Sequence, residues 1–194
     1  MRCADYAKDI HASGRHLLDL INDVLDMSRI EMGQYRLREE PVALGEVVRL
    51  ASTMLAVRAM EGQVSVRVAD LSGIVLYADR LALKQIMVNL LANAIKFNRP
   101  DGEVRVRIAL TGDGRVAVRV ADTGVGIPSQ DLPRIFERFY RVDKARSRQV
   151  GGTGLGLSIV RHVIERMNGT VTVESQVGKG TTFQVLLPER VTQS

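Results

Sequence analysis

The sequence predicts an α+β fold, in which a mainly antiparallel sheet carries a helical layer on one face and an amphipathic helix precedes it. Two observations predict this. Stretches whose apolar residues recur every three or four positions are interspersed with stretches of apolar and polar alternation, the periods of a half-buried helix and a half-buried strand. Two pairs of alternating stretches flank glycine turns, Gly112-Asp113-Gly114 and Gly178-Lys179-Gly180, so hairpins are expected in place of regular βαβ units.

From about Asp5 to Met32, Ile10, Leu17, Ile21 and Val24 recur at helical spacing, widened by Leu18, Leu25 and Ile30, and Gly33 is placed to end the run. A lone helix cannot bury that stripe, so it packs on the rest of the chain or on a partner helix, and its terminal position favours the partner. Residues 1–33 are therefore set apart from 34–194. Tyr35 to Leu37 reads as a short strand, and Leu44 to Glu61 as one helix with Val47, Val48, Leu50, Ala51 and Leu55 available for burial. Val64 to Val68 and Ile74 to Tyr77 read as strands, and Asp79 is placed to cap a long helix running through Phe97. Val104 to Ile108 and Val116 to Val120 make the first hairpin, and a loop with a short helix follows it. Leu155 to Met167 is the last helix, stopped by Asn168-Gly169, and Val171 to Glu174 and Thr182 to Leu187 flank the second turn.

Composition narrows the function classes. The 194 residues, 45% hydrophobic and 25% charged, suit a globular chain with a real core. The net charge of +5 points to an anionic partner. Nucleic acid is disfavoured, because the chain has no Trp, only 4% aromatics and no basic run interleaved with stacking side chains. One cysteine, Cys3, leaves no internal disulfide and fits a reducing compartment. The longest nearly apolar run, Ile86 to Ile95, is broken by Asn89 and Asn93 and falls short of the roughly 20 residues that span a bilayer. Asp5, Lys8 and Asp9 occupy the place of a signal peptide's apolar core. A cytoplasmic location without membrane contact is the expectation.

Three short segments carry chemistry. Asn89, Asn93 and Lys96 on the long helix are four and three residues apart, which puts two amides and an ammonium on one face while Ile86, Leu90 and Ala94 face the core. Amide oxygens suit Mg²⁺ that phosphates already neutralise, and Lys pairs with those phosphates; the same stripe is also what a solvated helix face looks like. Asp122-Thr-Gly124-Val-Gly126-Ile-Pro128 stands at a strand end, where a carboxylate can accept a hydrogen bond from an exocyclic amine and glycines let a ring approach the backbone. A tight turn would use the same residues. Gly151 to Ser158, with Gly152, Thr153, Gly154, Leu155 and Gly156, opens the last helix and can offer free N–H groups to phosphate. It lacks the Gly-Lys-Ser/Thr end of a P-loop and fails the Rossmann spacing at Leu157. Between the last two segments, Arg138, Arg141, Lys144, Arg146 and Arg148 stand against Glu137 and Asp143, a basic lid over a triphosphate or else a solvated loop.

In order, Asn-x-x-x-Asn, Asp-x-Gly-x-Gly, Phe136-Glu137-Arg138-Phe139 and Gly-x-Gly-x-Gly resemble the asparagine, first glycine, phenylalanine and second glycine boxes of the histidine-kinase catalytic domain in the GHKL ATPase superfamily. The resemblance covers about Leu37 to Pro188. Ser13 to Glu31 resembles the second helix of that family's dimerisation and phosphotransfer hairpin, in wording closest to alphaproteobacterial cell-cycle sensor kinases.

The resemblance implies a two-layer α/β sandwich of the Bergerat type that binds ATP and Mg²⁺. It implies that Asn93 holds the metal with support from Asn89, and that Lys96 and Arg141 contact phosphates. Asp122 would recognise the adenine amino group, with Gly124 and Gly126 lining the base and Phe97 and Ile135 packed around it. Gly152, Gly154 and Gly156, with Thr153 and Leu155 between them, would form the hinge of a lid. It further implies a homodimer through the N-terminal hairpin and a response-regulator receiver domain as partner. One departure matters: the family's phosphoacceptor His stands in the first hairpin helix before an acidic residue, whereas His11 precedes Ala12, His16 precedes Leu17 and His162 follows the glycine loop. None stands in the acceptor setting, so the chain is expected to bind ATP without labelling itself. A scaffold that binds nucleotide without transferring it stays open. A hydrolase of the chaperone or topoisomerase kind is disfavoured, since it would carry a Glu base where Asn89 stands and an amide cannot take a proton from water.

Overall fold

A computed structural model describes residues 14, 21, 37–69, 73–142 and 153–188. Ile21 alone of the N-terminal stripe is described, as helical and exposed; Ile10, Leu17 and Val24 lie outside the described residues, as do Cys3, His11, His16, Gly33 and Tyr35.

Strands β1 (Glu39–Ala43), β2 (Ser65–Val68), β3 (Val75–Asp79), β4 (Glu103–Leu110), β5 (Arg115–Asp122), β6 (Thr170–Gln176) and β7 (Gly180–Pro188) are accompanied by helices α1 (Leu44–Met54), α2 (Ala56–Glu61), α3 (Arg80–Lys96) and α4 (Gly156–Arg166). The main sheet has the order β2-β4-β5-β7-β6. Both hairpins form, β4 with β5 and β6 with β7; β5 and β7 also pair antiparallel, and only β2 and β4 run parallel. Helix α3 packs between α1 and α4 on one face of this sheet, as the sequence predicts. Valines 104, 106, 116, 118 and 120, with Phe183, Val185 and Leu187, point into the core. They meet Ile86, Leu90 and Ala94 of α3 and Ile159, Val160, Val163 and Ile164 of α4, all buried. Removing one such leucine, for example Leu90→Ala, costs about 2–5 kcal/mol.

The cap of α3 is as expected and does more than one task. Asp79 Oδ1 accepts from the N–H groups of Leu81 at 2.8 Å and Ala82 at 2.9 Å, while Oδ2 accepts from Arg38 N–H at 2.8 Å. The cap contributes about 1 kcal/mol to the helix and ties it to the chain entering β1.

One expectation is corrected, and two are met only in part by the described residues. Of the strand placed at Tyr35 to Leu37, Leu37 alone is described and is not in a strand; the first described strand spans Glu39–Ala43, despite Pro41. It pairs only with β3, Pro41 opposite Tyr77, and an edge strand tolerates a proline that cannot donate to a ladder. The single helix from Leu44 to Glu61 is two helices broken at Leu55, whose ψ is 2°. Just before the break the hydroxyls of Ser52 and Thr53 bond back to the Val48 and Arg49 carbonyls at 2.9 and 3.0 Å, a local alternative to the helical ladder, and the break lets Leu55 and Ala59 both bury. In the loop after β5, where a short helix is expected, residues 128–139 are a run of turns, with Asp131, Arg134 and Glu137 N–H groups donating three residues back, and residues 143–152 lie outside the described residues.

Candidate functional site

Helix α3 ends where β5 ends, and the site is built around that junction. After Asp122 the chain turns through 123–127 and is held on three sides. Val125 N–H donates to the Phe97 carbonyl at 3.0 Å, Thr123 N–H to the Glu103 carbonyl at 3.1 Å, and Gly178 N–H to the Val125 carbonyl at 2.8 Å. The two glycines of this segment are there for close approach. A Cβ on Gly124 would strike the Phe97 carbonyl oxygen, and Gly126, at φ 72°, lies against the Gln176 carbonyl.

Asp122 is partly buried in this floor. Its Oδ1 accepts from Gly124 N–H at 2.8 Å and Thr181 N–H at 3.2 Å, which leaves Oδ2 without a donor among the described residues. Burial, the larger influence, pushes the carboxyl above its ordinary value, and the two backbone bonds pull it back. Beside it lies an open depression of about 330 Å³, bordered by Ser175, Lys179, Gly180 and Thr181.

On α3, Asn89 and Asn93 are half-buried beside the buried Leu90 and Ala94, and neither side-chain amide bonds to another described residue. Lys96 follows on the same face, its Nζ 5.0 Å from the centre of the Phe97 ring. Burial, and next the Arg141 guanidinium, lower the Lys96 ammonium below its ordinary value. Arg141 in turn has a buried Nη2 with no acceptor. Two cations thus converge near two open amides, and one guanidinium nitrogen between them has no acceptor, the electrostatics of an anion site.

The glycine loop reaches the same place. A Cβ on Gly156 would stand 3.3 Å from Asn89 Oδ1, so the start of α4 abuts the amide face. No side chain caps α4, no acidic residue stands in its first turn, and Leu155 N–H donates to Thr153 Oγ1 at 3.0 Å. The Phe139 N–H donates to the Gly154 carbonyl at 3.0 Å, which joins the two ends of the basic segment.

Asn89, Asn93, Lys96, Phe97, Asp122, Gly124, Gly126, Arg141, Thr153, Gly154, Leu155 and Gly156 therefore stand on the segments that converge here. Ile135 is buried in the hydrophobic core. Gly152, with Lys144, Arg146 and Arg148, lies outside the described residues. Sequence reasoning missed Thr181 and Gly180. Thr181 donates to Asp122, and a Cβ on Gly180 would strike the Asp122 carbonyl oxygen. Their segment read only as a turn, and no local pattern ties it to a strand end 59 residues earlier.

The mixed sheet with helices on one face and the junction at its centre define an ATPase domain of the GHKL class. Residues 78–191 match the family described as histidine kinase-, DNA gyrase B- and HSP90-like ATPase, and the chain belongs to it. Within that family its relatives include histidine kinases. It is 41% identical, over 97% of its length, to the circadian input-output histidine kinase CikA of Synechococcus elongatus. Over 96% of its length it is 45% identical to the histidine protein kinase DivJ of Caulobacter vibrioides. The crystal structure of full-length ShkA in complex with AMPPNP superposes with a TM-score of 0.84 at 33% identity, covering 98% of this chain and 40% of that one. The chain spans 25% of CikA and 31% of DivJ. Among the described residues no helix is long and apolar enough to cross a membrane.

Proposed function

We propose that this chain binds Mg-ATP and donates the γ-phosphoryl to a histidine on a helix outside it, for relay to a response-regulator aspartate. The observation that carries the reading is the buried Arg141 Nη2 without an acceptor, close to the amide face of α3. A phosphate oxygen would satisfy it. Similarity to ShkA, whose structure holds AMPPNP, supports the same placement.

Among the described residues there is no cluster of three or more His, Cys, Asp or Glu, so Mg²⁺ would take the Asn93 and Asn89 amide oxygens together with phosphate oxygens, a hard-oxygen set suited to that ion. The metal would neutralise charge on the phosphates. The chain's own residues do the rest: Asp122 Oδ2 accepts from the adenine amino group, Lys96 and Arg141 pair with phosphate oxygens, and the uncapped start of α4 offers N–H groups to them. The site supplies positioning and charge stabilisation, which is most of what phosphoryl transfer requires. An imidazole nitrogen would then bond to the γ-phosphorus as its bond to the bridging oxygen breaks, and ADP would leave. Asn89, an amide where a hydrolase needs a base, would keep transfer to water slow. His162, within α4 and followed by Val163, would not be the acceptor. We further place the chain in the cytoplasm, and the intact protein in a homodimer formed through the N-terminal helical hairpin of which residues 1–33 are a part.

Incubation with γ-labelled ATP tests this. The chain alone should take up little label, and a relative's helical hairpin added in trans should acquire a phosphoramidate that acid removes and base does not. Stoichiometric label on His11, His16 or His162 would overturn the acceptor assignment. Binding without transfer in trans would leave a nucleotide-binding scaffold.

A further inference from the structure

The irregular segment between β5 and α4 holds a cluster that the nucleotide reading leaves unused. Asp131 is 9% exposed, and the Tyr140 hydroxyl donates to its Oδ1. The Arg134 guanidinium lies over the Tyr140 ring, 4.2 Å from its centre, and Arg134 Nη2 is paired with Glu137 Oε2 at 3.1 Å. The tyrosine is thus fixed at its tip by a charge-assisted hydrogen bond and on its face by a cation.

The backbone beside it is strained. Phe139 has a φ of 61°, a conformation that bulky residues avoid and that persists only where neighbours over-determine it. Its N–H donates to the Gly154 carbonyl, and Gly154, at φ 75°, approaches so closely that a Cβ there would come within 2.9 Å of the Phe139 backbone. Neither the exposed Phe139 side chain nor any helical ladder holds this turn. The residue that follows Tyr140 is Arg141, whose buried Nη2 lacks an acceptor.

The geometry points to Tyr140 as a positioning residue: its hydroxyl, anchored on Asp131, locks the strained Phe139-Tyr140 turn against Gly154 and so aims Arg141 at the phosphates of the nucleotide. This rests on the nucleotide reading above. The latch touches the phosphate side alone, since Asp122 and the 123–127 floor are held by separate bonds to Phe97, Glu103, Gly178 and Thr181. Loss of the hydroxyl therefore reads out as lost phosphate recognition with adenosine recognition intact.

The test is binding of ATP, by calorimetry with Mg²⁺, and of adenosine, by NMR titration, to the whole chain and to Tyr140→Phe, Asp131→Asn, Arg141→Ala and the Tyr140→Phe/Arg141→Ala double variant. Tyr140→Phe should weaken ATP about fivefold, the worth of one hydrogen bond, and leave adenosine unchanged. Asp131→Asn, which exchanges a charge-assisted bond for a neutral one, should show the same pattern with a smaller loss. The double variant should bind ATP no worse than Arg141→Ala, because both changes act through one guanidinium. Unchanged ATP affinity in a folded Tyr140→Phe, equal losses for ATP and adenosine, or additive losses in the double variant would each overturn the latch. Should Tyr140→Phe not fold, Asp131→Asn decides by the same comparison. Absence of ATP binding by the unsubstituted chain is a different failure, of the nucleotide reading itself, and takes the latch with it.

Discussion

Replacing Asp122 by Asn separates the two tasks that this carboxylate is given. Its Oδ1 holds the N–H groups of Gly124 and Thr181 at 2.8 and 3.2 Å, and the amide oxygen of an Asn can accept both. Its Oδ2, which has no donor among the described residues, becomes an NH₂ group. Opposite an adenine amino group the variant would set donor against donor, forfeiting a hydrogen bond worth about 1–3 kcal/mol. ATP affinity measured by calorimetry should therefore fall roughly 5- to 150-fold. Stability should not fall with it. Burial raises the Asp122 carboxyl above its ordinary 3.8, so in the window above that value the folded chain binds more protons than the unfolded one. This contribution to stability is complete below the ordinary value and is lost as pH rises through the folded one. The Asn variant has no such loss, and its melting temperature relative to the unsubstituted chain should rise as pH is raised through that window. A folded Asp122→Asn chain with unchanged ATP affinity would refute the adenine assignment. A variant that melts well below the unsubstituted chain at neutral pH would show that the ionised carboxylate is structural.

Asn93→Ala should weaken ATP binding by about 1–3 kcal/mol in Mg²⁺ and much less in EDTA, a difference titration in both buffers measures. Gly124→Ala should lower stability by about 2 kcal/mol or more, read from urea unfolding, because its Cβ has only the Phe97 carbonyl and the Asp122 carboxylate to meet. Leu17→Glu combined with Ile21→Glu, in a longer chain carrying the whole hairpin, should convert dimer to monomer in sedimentation. An undisturbed dimer would mean that the stripe serves some other contact.

Where each residue's neighbours lie within a few positions, the sequence was enough. The Asp79 cap, the core face of α3, the hairpin across Gly112-Asp113-Gly114 and the stop at Asn168 follow from periods and turn residues acting over one or two helical turns. The order of the asparagine and glycine motifs likewise named the class before any coordinate did. The strand at residues 39–43 went unseen and Leu55 was read as mid-helix because long-range contacts override local preference there, edge pairing with β3 in one case and burial of Leu55 with Ala59 in the other. What only the tertiary structure decided is which groups face one another across long stretches of chain. Arg141 was singled out by the resemblance alone, and its buried nitrogen without an acceptor was not legible. The bond from Thr181 N–H to Asp122 depends on which strands lie side by side, and that from Tyr140 to Asp131 lies in irregular backbone, where no helical or strand period fixes the direction of a side chain. A linear pattern can show that a carboxylate, two amides and a guanidinium are present, but whether their charges are answered depends on distances that packing alone sets.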